Sequence, residues 1–141
     1  MGRSFNGKYY RNLDNKGRLL LPSALLEKER PTLYVLSGFD GCLAVYPEEE
    51  YEELLAKLRN LDFRNPADRA YIRDVTSSTV KLKFDGAGRI LLGKDICREY
   101  GFETEVTIIG VLDHFEIWDS ASYSAYCLSN GLHSNQANRR S

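Results

Sequence analysis

The chain has 141 residues, enough for one compact domain or for two very small units that share a core. Apolar residues make up 43% and charged residues 28%, the balance of a folded soluble protein, and no apolar run is long enough to cross a bilayer. The formal net charge of −1 denies the chain the overall basicity of many nucleic-acid binders.

Met1-Gly2-Arg3-Ser4-Phe5-Asn6 lacks the apolar stretch of a secretory signal, so a cytoplasmic location is expected. The segment Gly7 to Leu13 is β-prone. Asp14 to Gly17 then supply turn chemistry before the run Arg18 to Leu21. Pro22 cannot donate a ladder hydrogen bond, and Ser23 to Lys28 follows as a short helix. Leu33 to Leu36 and Cys42 to Tyr46 read as a strand pair joined across Ser37 to Gly41. Pro47 is suited to a helix N1 position, with Glu48, Glu49 and Glu50 complementing the helix dipole in the first turn. Tyr51, Leu54, Leu55 and Leu58 recur at the spacing of one buried helical face. Asn65 as N-cap and Pro66 at N1 open a further helix to about Asp74.

From Thr79 to Trp118 the same strand plan returns. Asp14-Asn15-Lys16-Gly17-Arg18-Leu19-Leu20-Leu21 is echoed by Asp85-Gly86-Ala87-Gly88-Arg89-Ile90-Leu91-Leu92, and Leu43-Ala44-Val45-Tyr46 by Phe115-Glu116-Ile117-Trp118. A closing helix near Ser120 places Tyr123, Tyr126 and Cys127 on one side, and the sequence beyond Leu128 is polar and reads as a mobile tail. The expected organisation is a first repeat at 5–64, a helical connector at 65–76, a second repeat at 77–128 and a tail at 129–141. A strand-heavy half of this size has little core of its own. The halves are therefore expected to share one pseudo-twofold, intertwined, barrel-like core with peripheral helices. The fold class is α+β, mainly β.

Charge is segregated within each repeat. Lys8, Arg11, Lys16 and Arg18 come early in the first, and Lys81, Lys83 and Arg89 early in the second, with acidic residues concentrated later in both. If the early strands lie side by side, their cations merge into one face that can bind phosphate despite the balanced total. Alternatively, the charges only keep a small domain in solution.

Each basic segment carries an Asp-x-x-Gly-Arg turn. Gly17 and Gly88 permit the positive φ of a tight turn, and Asp14 and Asp85 can accept backbone amides or orient the arginine. Arg18 and Arg89 offer planar donor forks suited to phosphate oxygens or guanine O6 and N7. Lys16 adds a charge at the first turn that Ala87 cannot add at the second. The same pattern also serves a hairpin whose Asp–Arg pair does no more than close it.

Other chemistries find little support. Cys42, Cys97 and Cys127 form no C-x-x-C pair, and Cys42 and Cys97 read as small core residues. His114 and His133 are the only histidines, so no multi-histidine metal site is expected; His114 reads as a strand or turn residue and His133 as solvated. No Gly-x-Ser-x-Gly, His-Glu-x-x-His or P-loop pattern occurs, and Leu91 stands where a dinucleotide fingerprint after Gly86 and Gly88 needs its third glycine. No catalytic residue, metal or cofactor is expected.

Gly7-Lys8-Tyr9, Leu13-Asp14-Asn15-Lys16-Gly17-Arg18-Leu19-Leu20-Leu21-Pro22, Gly41-Cys42-Leu43-Ala44-Val45-Tyr46-Pro47, Asp85 with Gly88-Arg89-Ile90, and Phe115-Glu116-Ile117-Trp118 together resemble the MraZ family over nearly the whole chain to about residue 127. These are bacterial transcriptional regulators encoded at the start of the division and cell-wall gene cluster. The resemblance implies tandem AbrB-like halves in a swapped-hairpin, double-split barrel. It also implies a ring-shaped homo-oligomer, an octamer or dodecamer, and a nucleoid-associated repressor that binds short G-rich direct repeats in double-stranded DNA upstream of its own gene cluster. Its DNA-facing segments carry over onto Lys16, Arg18 and Arg89, with Asp14, Gly17, Asp85 and Gly88 as turn supports; Arg11 and Lys83 are expected to bind DNA as well. Three positions depart from the family pattern. Arg11 stands where many members have His, Gly93 where the second motif usually ends in Pro, and Ala87 where a polar or basic residue is usual, so the second turn is expected to contact DNA less. The alternative is an oligomeric assembly or protein-interaction scaffold without DNA-binding activity.

Overall fold

The computed structural model of the chain describes residues 4–132. His133 and most of the expected tail lie outside the described residues. Among the described residues, short runs of β-branched and aromatic residues bounded by turn residues give eight strands: β1 (Lys8–Asn12), β2 (Arg18–Leu20), β3 (Thr32–Ser37), β4 (Leu43–Pro47), β5 (Val80–Lys83), β6 (Arg89–Leu91), β7 (Glu105–Gly110) and β8 (Phe115–Asp119). Four helices accompany them: α1 (Glu48–Arg59), α2 (Pro66–Ser78), α3 (Gly93–Glu99) and α4 (Ser120–Ser129). The fold is α+β and mainly β.

Six strands form one antiparallel sheet in the order β1-β7-β8-β4-β3-β5, and β2 and β6 pair as a separate two-stranded ribbon. The sheet is open, with β1 and β5 at its edges. Its order reads the same from either end once each strand is exchanged for its sequence counterpart, β1 for β5, β3 for β7 and β4 for β8. Counterpart residues meet at both centres of this symmetry, Ala44 opposite Glu116 and Leu19 opposite Ile90. Each half lends its first strand to the other: β1 pairs with β7, and β5 with β3.

Alternation along the strands then divides the core in two. Leu33, Val35, Leu43 and Val45 face one side, where they join Phe5, Leu19, Leu21, Leu25, Phe84, Ile90, Leu92, Phe102, Val106, Ile108, Phe115 and Ile117 in one buried cluster drawn from both repeats. Leu36, Ala44 and Tyr46 face the other side under α1 and α2, against Leu54, Leu58 and Val75. Because β4 is covered on both faces, its sequence Leu-Ala-Val-Tyr is continuously apolar instead of alternating. Leu54 and Leu58 are the buried rows of α1, with Tyr51 and Leu55 half-buried beside them.

Several boundaries differ from the sequence expectation. Pro47 is the N-cap of α1 and still part of β4, opposite Leu33, because its φ of −61° and ψ of 162° keep it extended; Glu48 is the first helical residue. The short helix expected over Ser23 to Lys28 is a single 3-10 turn, Ser23–Leu25, ended by Leu26 in an extended conformation. Asn65 caps α2 as expected, its Oδ1 accepting the amides of Ala67 and Asp68 at 2.9 and 3.1 Å, but the helix runs past Asp74 to Ser78. In its last turn the hydroxyls of Thr76, Ser78 and Thr79 donate to the carbonyls of Ile72, Asp74 and Val75. Cys42 is buried as expected, whereas Cys97 is only half-buried against the core.

Candidate nucleic-acid interface

The two Asp-x-x-Gly-Arg segments fold alike for a local reason. In each, the aspartate amide donates to the arginine carbonyl, at 3.0 Å for Asp14 and Arg18 and 2.9 Å for Asp85 and Arg89, and the glycine amide donates back to the aspartate carbonyl. Gly17 and Gly88 hold φ of +79° and +86° to close these loops. Asp14 Oδ1 accepts the amides of Lys16 and Arg18 at 2.9 and 2.8 Å, and its Oδ2 accepts Nε of Arg18 at 2.7 Å. Asp85 repeats the arrangement, with Oδ1 on the amides of Ala87 and Arg89 at 2.9 and 3.0 Å and Oδ2 on Nε of Arg89 at 3.3 Å.

These contacts set protonation. The backbone amide of Arg18 is the main cause that holds the Asp14 carboxyl down at about 2, below its ordinary 3.8, with the Arg18 side chain and the Lys16 amide adding to it. Asp85 is lowered likewise, first by the amide of Arg89. A depressed carboxylate stabilises the fold fully above its unfolded pKa, and that contribution is lost progressively as pH falls from there through the folded value. Carboxyl carbon shifts followed by NMR are thus expected to titrate near pH 2 for Asp14 and below 3.8 for Asp85. A midpoint at or above 3.8 for either would contradict the loop geometry.

Each aspartate grips its arginine by Nε alone. Nη1 and Nη2 of Arg18 and Arg89 have no partner among the described residues, and the side chains are 44% and 50% exposed. The guanidinium is aimed but not spent. Antiparallel pairing of β2 with β6 then joins the two turns, with Arg18 opposite Leu91 and Arg89 opposite Leu20. Both arginines stand on the outer face, because Leu19 and Ile90 between them point into the core.

The two turns are seated differently, and one residue is the cause. The Gly17 carbonyl accepts the amide of Leu92 at 2.9 Å and that of Gly93 at 3.3 Å, whereas the Gly88 carbonyl accepts Leu21 alone, at 2.9 Å, since Pro22 has no N–H. A methyl group on Gly17 would lie 2.9 Å from the Gly93 backbone; one on Gly88 would meet the flexible end of Leu26 at 3.2 Å. Gly17→Ala is therefore expected to cost about 2–4 kcal/mol in urea denaturation, from positive-φ strain plus a backbone clash, and Gly88→Ala about 1–2 kcal/mol from strain alone. Equal losses would contradict this asymmetry.

The structure brings Arg18, Arg89, Leu20 and Leu91 onto one ribbon, with Lys16 exposed in the turn that leads into it. Arg11 and Lys83 lie apart, on β1 and β5 of the main sheet. Arg11 is half-buried; its Nη1 donates to the Tyr10 carbonyl at 2.9 Å and its guanidinium lies 5.9 Å from the Tyr9 ring. Lys83 is exposed at the end of β5, opposite Thr32. Among the described residues no group of three metal-binding side chains occurs, and no helix is long and apolar enough to cross a membrane.

Comparison with known proteins is consistent along the whole chain. Residues 4–74 and 76–140 match the family described as "MraZ protein, putative antitoxin-like". A transcriptional regulator MraZ from Moorella thermoacetica is 36% identical over 124 residues, covering 87% of this chain and 86% of that protein. The transcriptional regulator MraZ of Corynebacterium diphtheriae is 40% identical over 122 residues, with 86% and 85% covered, and that of Acetivibrio thermocellus 37% over 123 residues, with the same shares covered. With a duplicated turn motif, a family match in both halves and relatives aligned over most of their own length, the chain belongs to the MraZ family.

Proposed function

We propose that this protein is a transcriptional regulator that binds double-stranded DNA through the outer face of the β2/β6 ribbon. The observation that carries the reading is the pair of exposed guanidiniums, each held by Nε and open at Nη1 and Nη2, on a ribbon narrow enough for a major groove about 12 Å wide. Arg18 and Arg89 bind guanine edges or phosphates, and Lys16 adds a phosphate contact at the first turn. Asp14, Gly17, Asp85 and Gly88 hold the arginines in place, while Arg11 and Lys83 contribute to the surrounding field from the neighbouring strands.

One ribbon offers few cations, so useful affinity calls for several copies acting together. The family resemblance supports a ring-shaped homo-oligomer of eight or twelve subunits that engages short direct repeats upstream of its own gene and represses the division and cell-wall cluster, in the cytoplasm at the nucleoid. The reciprocal loan of β1 and β5 between halves supports reading the core as a swapped-hairpin, double-split barrel assembled from repeats at 5–64 and 77–128. Salt dependence tests the reading. In an anisotropy titration of the upstream DNA, three phosphate-facing cations per subunit predict a loss of about 40-fold in affinity per engaged subunit between ~50 and ~200 mM salt. Absence of salt-dependent binding would leave an assembly or interaction scaffold instead.

A further inference from the structure

Two side chains on the ribbon's outer face are used neither by the core nor by the ion pairs. Leu20 is 47% and Leu91 56% exposed, although both belong to short strands whose middle residues are fully buried. A lone surface leucine needs no explanation. These two lie directly beside two exposed arginines. Alternation puts Leu20 on the same face as Arg18 and Leu91 on the same face as Arg89. The register sets each leucine directly opposite the arginine of the other strand, so the four side chains form a checkerboard of two forks and two apolar ends.

What could cover this surface is constrained by the arginines. An apolar protein partner would bury both guanidiniums with Nη1 and Nη2 unpaired, a heavy desolvation cost. A second copy docking the same face would set four guanidiniums against one another. DNA satisfies both kinds of group, because its major groove carries acceptors at guanine and phosphate and one apolar feature on the base edges, the thymine methyl. We infer that Leu20 and Leu91 are specificity-determining residues that pack against thymine methyl groups next to the bases or phosphates held by Arg89 and Arg18. The inference rests on the DNA-binding reading and adds a base preference to it.

The test separates the two. A duplex selected from a randomised pool by the wild-type protein is resynthesised with each thymine in turn replaced by deoxyuridine, which removes only the methyl. Wild-type affinity is expected to fall about fourfold at the contacted thymine, the worth of one buried methyl. Leu20→Ala or Leu91→Ala should lose a similar factor on the thymine duplex and be insensitive to the uracil exchange at its own position. Both leucines are half exposed, so unchanged melting and unchanged gel-filtration volume should accompany the loss. A selected site whose affinity is indifferent to uracil at every thymine, or leucine and uracil losses that multiply in full, overturns the inference while salt-dependent DNA binding stands. A changed oligomeric state in the leucine variants overturns it by placing these residues between copies. Failure of Arg18→Ala to weaken any duplex would sink the underlying reading, and the inference with it.

Discussion

Arg18→Ala is expected to weaken DNA binding by about 5- to 150-fold for each copy engaged, the value of one bidentate arginine contact, and to leave the fold intact. Two features separate function from folding at this position. The loop is held by backbone groups of residue 18, its amide on Asp14 Oδ1 and its carbonyl on the Asp14 amide, and alanine keeps both. The side chain adds only a solvent-screened surface ion pair to Asp14, which contributes little to stability. Under the proposed engagement of repeated sites by several subunits, the per-copy losses multiply, and binding should vanish at working concentrations. Arg64→Ala is the matched control: it removes the same charge from a fully exposed residue paired with Asp62 between α1 and α2, and should leave affinity within twofold. Arg89→Ala measures the second turn separately, with a smaller loss expected because Ala87 provides no charge where the first turn has Lys16. Wild-type affinity in Arg18→Ala would make the Asp–Arg pair a hairpin clasp and nothing more.

The local geometry of this site was legible in the sequence because its determinants are four residues apart. An aspartate, a glycine with positive φ and an arginine at that spacing can close only a small set of loops, and both copies closed the same one. Asn65 and Pro66 were legible for the same reason, the cap being satisfied by amides two and three residues on. The leucines were not. In Arg18-Leu19-Leu20-Leu21 every residue after the arginine is apolar, so the pattern hides which side chain faces out. Only the pairing of β2 with a strand from the other repeat makes Leu19 the inner residue and Leu20 the outer one.

Long-range order was half legible. The repeat implied a symmetric, shared core, and the palindromic strand order carries that symmetry. Nothing in a single sequence says which strand of one half meets which of the other, since that depends on contacts between residues far apart in the chain. Gly93 shows the same limit from the other direction. In the sequence it stands out only as a departure from the proline that usually ends the second motif. In the fold its amide reaches the Gly17 carbonyl, so the departure acts on the first turn rather than its own.

A chain divided between Arg64 and Asn65 is expected to give two fragments that are each unfolded alone and regain native circular dichroism when mixed. In isolation the first fragment keeps the β3–β4 pair but loses β7 as the partner of β1, β6 as the partner of β2 and β5 as the partner of β3. The second keeps β7–β8 and leaves β5 and β6 with no strand to pair with. Each would also expose its share of the one apolar cluster to which both contribute, Leu19, Leu33 and Val45 on one side and Ile90, Val106 and Phe115 on the other. A two-stranded hairpin with one uncovered face is marginal at best, and a short chain buries a smaller share of its surface on folding and has little stability to spare. Mixing restores all of the lost pairings at once, so recovery should be steep in the concentration of the scarcer fragment. If either fragment alone melts cooperatively, the two repeats are independent domains, and the ribbon that joins their arginines is an incidental contact between them.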